Sequence, residues 1–528
     1  MLGLDVIVAV GLAILGCGVL GRRLHIAPAL LLLATGAMLG FIPALRTVTL
    51  PPTVVLLLFL PALLYWESIT TSLRVIRSNL RGIVLASTVL VIASAAAVAL
   101  TAHAVGVAWG AAWVLGAAVA PTDATAVGQF AGFLPYRAIT ILRAESLIND
   151  GTALVVFSVA AGVTVGGEHL EFGNVAGRFA LSYLGGAFAG VVVALVVGPV
   201  RRRLADPLLN NVAVLITPFA AFLLAQAVRA SGVLAVVVCG LIMARVGPRV
   251  GHAAARRQTE AFWSLATFVL NGALFALIGL ESQSAARGLS TGDLGEALEI
   301  VAVVTVVLAT VRLVFFVVTA YLIRAIDRRP EQRRRRMTNR ARAVLAVGGF
   351  RGAVSLAVAL SIPVRLNSGR PFPDRGTIVF ATFGVIVVTL VVQGLALRPI
   401  ARWADLPGGT DLGEERRLAE LTATERALEA LPGVAERLGT NQVVADRLRH
   451  EYQKRLRVIR AAEQEPFDEE AVRYDRDYTA LRLALLDHKR EAILGLRRDG
   501  RIDDSVLLQL QASLDIEEVR LNRSVTFE

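Results

Sequence analysis

The chain has 528 residues, of which 55% are hydrophobic and 18% are charged. Its mean hydropathy of +0.63 is too high for an ordinary soluble protein and indicates a membrane protein. The net charge of +12 does not indicate a nucleic-acid partner, because the basic residues lie between apolar segments, as membrane topology requires. The two cysteines, Cys17 and Cys239, lie inside apolar segments, which argues against a disulfide framework.

Thirteen apolar segments are candidate transmembrane helices, since a span needs about 20 residues to cross a hydrocarbon core of about 30 Å. They are residues 3–21, 27–45, 50–69, 83–106, 109–128, 138–164, 177–199, 210–228, 231–245, 259–280, 296–323, 342–364 and 376–402. With the N-terminus outside, the inner loops contain 23 arginines and the outer loops contain seven. We therefore predict a multi-pass protein of the cell (inner) membrane with an outside N-terminus and a cytoplasmic C-terminus.

The composition changes near residue 405. The last 124 residues contain 26 of the 42 acidic residues and both lysines, and their apolar residues recur at helical spacing. We therefore predict a transmembrane domain at residues 1–404 and a soluble, cytoplasmic helical domain at residues 405–528. Two interpretations of this tail stay open, a regulatory or dimer-supporting domain and a small helical appendage.

Two predicted spans are interrupted by polar or small residues, in AVAPTDATA (Ala118–Ala126) and AVGGFRGAVS (Ala346–Ser355). They are seven spans apart and therefore cross the membrane in opposite directions. The third and tenth spans have the same offset and end in LLYWES (Leu63–Ser68) and LIGLES (Leu277–Ser282). Many secondary transporters build their binding site from inverted repeats whose broken helices meet at the midplane. We therefore predict an all-α polytopic fold of about 13 transmembrane helices, with inverted repeats and two broken, crossing helices.

Asp123 lies in the first interrupted span, shortly after Pro121. Proline removes a backbone donor and breaks a helix, so nearby carbonyls and the hydroxyl of Thr122 become available as oxygen ligands. Such ligands suit a small alkali cation. The alternatives are a short re-entrant loop or an aspartate that caps a helix.

Asp150 lies about 18 Å along the sixth span if that helix begins near residue 138, and therefore near the midplane. Glu145, Ser146 and Asn149 share roughly the same helix face. Burial and mutual repulsion favour the protonated form of neighbouring carboxylates, and a cation can replace the proton. The sequence therefore predicts that a cation and a proton compete for one site at Asp150 and Asp123. A buried structural network is the alternative.

Four other polar residues lie within or at the ends of spans. Arg351, at the centre of the twelfth span, needs a buried anion, and we predict a structural ion pair with Glu145 because the two aspartates would lose their proton chemistry beside a permanent cation. Arg312 either competes for these acids or extends to the inner surface. Glu67 is either a cation ligand or inner gate, or an interfacial residue. Asn271 serves either the site or helix packing.

Five segments, in this order, resemble the monovalent cation:proton antiporter family of the sodium/proton exchanger type, in particular its bacterial members. They are FLPALLYWES, APTDATAV, AESLINDGTALV, NGALFALIGLE and GGFRGAVSLAVAL, and they extend over most of residues 50–400. The resemblance implies a 13-helix inverted-repeat fold, a homodimer in the lipid bilayer and an elevator-type movement of a core domain. It also implies secondary exchange of Na⁺ (or Li⁺) for H⁺, in pH and sodium homeostasis.

The same resemblance implies roles for the site residues. The aspartate that matches Asp150 carries the cation or the proton, and Asp123 is a further ligand of Na⁺. Thr122 and Ser146 supply further ligands, and the glutamate that matches Glu67 joins them in some members of the family.

In such antiporters, an asparagine at the position of Asn149 marks the electroneutral branch, which exchanges one cation for one proton. The ion pair between Glu145 and Arg351 also carries over from the resemblance. A K⁺/H⁺ antiporter using the same site is the first alternative, and a cation channel is a second, although no continuous polar pore or repeated filter loop is present. We find no nucleophile triad, metal-ligand spacing or phosphate loop, and we predict no enzymatic activity and no cofactor beyond the transported ions.

Overall fold

The computed structural model describes residues 2–24, 26–43, 54–123, 134, 136–166, 172–204, 206–247, 253–287, 291–326, 338–405, 410–461, 469–499, 501 and 503–525. Within these residues the regular structure is helical, apart from an isolated bridge between Arg365 and Pro371. The chain divides into two compact units, Met1–Gly408 and Gly409–Glu528. The division lies near the boundary expected at residue 405, while the membrane and cytoplasmic placement of the two units stays a prediction.

The first unit contains sixteen helices among the described residues, together with two π-helical turns. The helices are α1 (Leu2–Leu24), α2 (Pro28–Leu39), α3 (Leu60–Thr70), α4 (Leu73–Ser78), α5 (Leu80–Ala104), α6 (Trp109–Val119), α7 (Tyr136–Val165), α8 (Phe172–Arg203), α9 (Pro207–Ala227), α10 (Gly232–Val246), α11 (Ala253–Arg287), α12 (Thr291–Ile326), α13 (Asn339–Val347), α14 (Ala353–Leu360), α15 (Arg375–Val388) and α16 (Gly394–Ala404). One π-turn, Val55–Phe59, leads into α3, and the other, Thr389–Gln393, joins α15 to α16.

Among the described residues, eight helical segments are long and apolar enough to cross a membrane. They are Leu4–Leu24, Leu80–Ala104, Arg137–Val165, Phe179–Arg203, Pro207–Ala227, Ala255–Glu281, Leu294–Ile323 and Arg375–Ala404. Four shorter apolar helices add to them, Pro28–Leu39, Val55–Thr70, Trp109–Val119 and Gly232–Val246. The predicted all-α polytopic membrane fold is therefore confirmed, while the number of 13 spans stays a prediction.

Helix packing in the first half of this unit recurs in the second half. If α1, α2 and α3 correspond to α9, α10 and α11, then the contact of α2 with α11 has its equivalent in the contact of α10 with α3. The pair α1–α2 likewise corresponds to α9–α10, and α1–α11 corresponds to α9–α3. In the same way, α5 and α7 correspond to α12 and α15, and α6 corresponds to the two halves α13 and α14 of the second broken helix. The pairs α5–α6, α5–α7 and α6–α7 then recur as α12–α13, α12–α15 and α14–α15. This is the packing that inverted repeats produce, with α8 as the additional helix between them.

The interruptions of the two broken helices meet. The α6 helix ends two residues before Pro121, and α13 ends at a non-helical stretch, Gly348–Gly352, that precedes α14. The backbone N–H of Asp123 donates to the carbonyl oxygen of Phe350 at 2.8 Å. The predicted crossing of two broken helices is therefore observed up to Asp123, while residues 124–133 lie outside the described part of the chain.

The second unit consists of α17 (Thr410–Leu438), α18 (Gln442–Ala461), α19 (Glu469–Arg498) and α20 (Asp504–Val525), and each consecutive pair packs together. An ion pair of 2.5 Å joins Arg460 to Glu425 across α17 and α18, and another of 2.5 Å joins Arg482 to Glu517 across α19 and α20. The hydrogen bond from Arg482 holds the pKa of Glu517 below its usual value. The role of this helical tail stays a prediction.

The backbones of α2 and α11 approach closely because each helix presents a glycine at the contact. A Cβ atom on Gly36 would lie 2.0 Å from the carbonyl oxygen of Ala276, and one on Gly279 would lie 2.2 Å from the carbonyl oxygen of Leu33. Small residues permit this kind of approach between transmembrane helices, where van der Waals contact rather than hydrophobic burial drives association.

Substituting Gly279→Ala should therefore destabilise the transmembrane unit, because the two helices must separate to accommodate the methyl group. Overpacking of this kind costs about 1–3 kcal/mol. The midpoint of thermal unfolding of the purified protein in detergent should fall, whereas Gly16→Ala, at a position with open space around it, should leave the midpoint unchanged or slightly raised. Equal midpoints for the two variants would contradict the packing.

Candidate functional site

A small cavity lies beside the crossing of the broken helices. Its polar lining comes from Glu67 on α3, from Asp123, and from Ser146 and Asp150 on α7. The apolar lining consists of Val55, Phe59, Leu60, Leu63, Leu64, Leu274 and Val354. The space open to the centres of water molecules is about 30 Å³. About 10–15 Å³ accommodates one water, so the cavity has room for a single small ion with a water.

The two aspartates of this cavity are almost completely buried, with 8% of Asp123 and 3% of Asp150 exposed. The helix α7 places Ser146 and Asp150 four residues apart and therefore on one face. The Oδ1 atom of Asp150 is buried and accepts no hydrogen bond from any described residue. A buried carboxylate oxygen without a partner is costly, and a bound cation, a proton or a water would satisfy it.

Two side chains of α7 hold the broken segment in place. The hydroxyl of Ser146 donates to the carbonyl oxygen of Thr122 at 2.7 Å, and the amide of Asn149 donates to the Thr122 hydroxyl at 2.7 Å. The carbonyl and the hydroxyl of Thr122 are thus both engaged by α7. Ser146 and Thr122 therefore position the segment that carries Asp123, and their direct ligation of a cation stays a prediction.

Asn149 does not line the cavity with Asp150, although the two residues are adjacent. It lies with Thr122, Glu145, Arg312 and Arg351 on the other side of α7, where its Oδ1 atom accepts no hydrogen bond from a described residue. The expected cluster on one face of α7 is therefore divided, with Ser146 and Asp150 on the cavity and the asparagine on the side of the arginines.

Close approach at the crossing requires a glycine after Arg351. A Cβ atom on Gly352 would lie 1.6 Å from Oδ2 and 2.6 Å from Cβ of Asp123. Rotation of the aspartate side chain could move Oδ2 away but not Cβ, so the backbone would have to shift. The broken twelfth span therefore contributes backbone and empty space, rather than a side chain, at the point where it meets Asp123.

Glu145 forms a buried, bidentate ion pair with Arg312. The Nη1 atom of Arg312 lies 2.5 Å from Oε1 of Glu145, and its Nη2 atom lies 3.1 Å from Oε2. Arg312 also donates to the carbonyl oxygen of Leu345 at the end of α13 through Nε at 3.2 Å and Nη2 at 3.1 Å. The pair therefore ties α7, α12 and the first half of the broken span together.

The predicted ion pair between Glu145 and Arg351 is wrong. The guanidinium of Arg351 donates to the carbonyl oxygen of Gly349 at 3.0 Å, and its Nε atom makes no hydrogen bond with a described residue. The planar fork of Arg312 engages both carboxylate oxygens of Glu145, which leaves the second arginine to the backbone carbonyl of its own broken segment. Of the two alternatives for Arg312, the structure shows the first, in which this arginine pairs with a buried acid.

Glu67 contributes to the cavity from α3, and a residue that sequence reasoning missed lies beside it. The Nε atom of Arg143 is 3.8 Å from Oε1 of Glu67. Arg143 precedes Asp150 by seven residues on α7, so helical spacing places both on one face and could have identified it. Asn271 is not among the residues that line the cavity, although Leu274 on the same helix is.

The two buried arginines should differ in what their loss costs. Arg312→Gln leaves the Glu145 carboxylate buried without its partner, which costs about 3–5 kcal/mol. Arg351→Gln removes a cation that has no carboxylate partner in the described structure, and it should destabilise less. Thermal unfolding of the two purified variants in detergent measures the difference. A larger loss for Arg351→Gln would restore the pairing expected from the sequence.

Comparisons with known proteins agree with this architecture. The family model for the transmembrane sodium/hydrogen exchanger matches residues 9–403. An uncharacterized Na⁺/H⁺ exchanger of Mycobacterium tuberculosis is 44% identical over 98% of this chain and 96% of its own length. The Na⁺/H⁺ antiporter ApNhaP of Aphanothece halophytica is 30% identical over 76% of this chain and 73% of its own.

Among solved structures, the sodium proton antiporter MjNhaP1 of Methanocaldococcus jannaschii superimposes with a TM-score of 0.58 at 17% identity, over 76% of this chain and 99% of that protein. At this identity the similarity concerns the fold alone. The match of the family model over most of the transmembrane unit and the identity to the mycobacterial relative over nearly the whole chain agree with each other. This protein belongs to the transmembrane sodium/hydrogen exchanger family, a family of transporters.

Proposed function

We propose that this protein is a secondary antiporter that exchanges Na⁺ for H⁺ across the cell membrane, with the two ions competing for Asp150 and with Asp123 as a further ligand. The observation that carries this proposal is the shared cavity of the two buried aspartates, in which the Oδ1 atom of Asp150 has no partner among the described residues. Family membership supports the same chemistry.

The competition follows from the cost of an unpaired charge inside a membrane. An ionised carboxylate at this depth must be neutralised by a cation or accept a proton. Arg312 does not serve Asp150, because its guanidinium is committed to Glu145. The cavity has room for one small ion. Protonation of Asp150 removes the negative charge that Na⁺ needs, so occupation by Na⁺ and protonation of Asp150 exclude each other.

The neutral side chain of Asn149 supports an electroneutral exchange of one cation for one proton. A second aspartate at this position would add a buried charge on the side of α7 that faces Arg312 and Arg351. With an amide there, the site needs one added positive charge in each half of the cycle, and either ion provides it.

The cavity lies between two groups of helices, which supports alternating access by movement of one group against the other. Its walls come from α3 and α11 on one side and from α7, α14 and the broken segment on the other. We propose that the group containing α5, α6, α7 and α12 to α15 moves as a core. A homodimer, an outside N-terminus and a cytoplasmic tail complete the proposal, together with a role in pH and sodium homeostasis.

Purified protein in liposomes loaded with a pH-sensitive dye tests the exchange. Adding Na⁺ or Li⁺ outside should raise the internal concentration of these ions and drive H⁺ out, and clamping the membrane potential should leave the rate unchanged. Asp150→Asn, which keeps the shape and removes the charge, should abolish the response, whereas Glu299→Gln on the exposed face of α12 should retain it.

Two results would contradict the proposal in different ways. Exchange that persists in Asp150→Asn would exclude this aspartate as the carrier. A response to K⁺ that equals or exceeds the response to Na⁺ would replace the proposed cation while leaving the site intact.

A further inference from the structure

We propose that Arg143 is a tethered cation that competes with the transported cation for Glu67 and thereby sets the apparent affinity of the site; this inference rests on the exchange proposed above. The Nε atom of Arg143 lies 3.8 Å from Oε1 of Glu67, which is within ion-pair range but too long for a hydrogen bond. That Nε atom is buried and donates to no acceptor among the described residues. Electrostatic attraction therefore holds the Nε atom of Arg143 near the Glu67 carboxylate, without a hydrogen bond between them.

The position of Arg143 on α7 places it at one end of the cavity wall. It precedes Ser146 by three residues and Asp150 by seven, so all three lie on one face, with about 10 Å along the helix axis between the first and the last. The side chain of Arg143 is 32% exposed, whereas Asp150 is 3% exposed. A cation that approaches Asp150 from the more exposed end therefore meets the pair of Arg143 and Glu67 first.

The charges around Glu67 explain why a neighbouring cation would be tolerated there. Glu67 shares the cavity with Asp123 and Asp150, so three carboxylates line one small space. Arg74 and Arg77 on α4 and Arg245 on α10 belong to helices packed against α7, and they are exposed, so solvent screens them. Arg201 on α8 and Arg342 on α13 are buried, and Arg201 donates to the side chain of Asn210 at 3.1 Å. Arg143 lies at ion-pair distance from the Glu67 carboxylate.

A guanidinium and a sodium ion are alternative partners for the same carboxylate. Arginine stays charged at every physiological pH, so Arg143 competes whenever the cavity contains no cation. Attachment to α7 gives it a high effective concentration near Glu67, although its partial exposure weakens the attraction through solvent screening. Removing the charge should therefore let Glu67 bind the transported cation more tightly, without removing a ligand from the site.

The test compares Arg143→Gln with Arg143→Lys at alkaline pH, where protons compete least. Arg143→Gln should lower the KM for Na⁺ in liposome exchange by about three- to tenfold, as expected for a partly screened ion pair at this distance. Arg143→Lys keeps the charge and should restore a KM near that of the unchanged protein. Arg137→Gln removes an exposed arginine from the first turn of the same helix and should leave KM unchanged.

A double substitution shows whether the effect acts through Glu67. In a Glu67→Gln background, Arg143→Gln should no longer lower KM, because the carboxylate for which the two cations compete is absent. A KM that is unchanged or raised in Arg143→Gln, or a shift of equal size in the Glu67→Gln background, would overturn the proposal. A purely structural role would reduce the maximal rate and leave KM in place.

A binding measurement separates this inference from the exchange on which it rests. The Na⁺ concentration that gives half of the maximal thermal stabilisation of the purified protein in detergent should fall in Arg143→Gln by the same factor as KM. Absence of flux in liposomes would refute the proposed exchange, while the binding midpoints would still decide on Arg143. Identical midpoints for Arg143→Gln and the unchanged protein would overturn its role.

Discussion

The hydrogen bond between the N–H of Asp123 and the carbonyl of Phe350 joins the two places where a membrane helix is interrupted. Backbone groups in the hydrocarbon region need partners, and an interrupted helix loses the ones it would supply itself. Each break therefore supplies a partner to the other, and Ser146 and Asn149 on α7 donate to the carbonyl and the hydroxyl of Thr122. The cavity, the position of Asp123 and the requirement for Gly352 all follow from this mutual contact.

The buried charges are distributed so that one carboxylate stays available. Glu145 accepts hydrogen bonds from both terminal guanidinium nitrogens of Arg312, which removes that arginine from competition for the cavity. Asp150 lies on the opposite side of the same helix, with one oxygen lacking a hydrogen-bond partner in the described structure. One face of α7 thus stabilises the fold through a fixed ion pair, and the other presents an acid whose partner can change during a transport cycle.

Periodicity and apolar length predicted the all-α membrane fold, and Pro121 predicted the first break. Neighbours on one helix could also be predicted from the sequence, because a rise of 1.5 Å per residue and 3.6 residues per turn place Ser146 beside Asp150. Contacts between helices were harder to predict from the sequence, because hydropathy does not indicate how a span is oriented about its own axis. It therefore could not decide whether Arg312 or Arg351 reaches Glu145. The same limitation concealed Arg143, whose spacing from Asp150 was visible but whose approach to Glu67 depends on the packing of α3 against α7.

The central claim is that Na⁺ and H⁺ compete for the carboxylate of Asp150. Calorimetric titration of the purified protein with Na⁺, repeated in buffers of different ionisation enthalpy, measures the protons released on binding. In the pH range where Asp150 is protonated without Na⁺, the account predicts release approaching about one proton for each Na⁺ bound, and loss of that release in Asp150→Asn. Na⁺ binding without proton release across the whole pH range, or release that persists in Asp150→Asn, would contradict it.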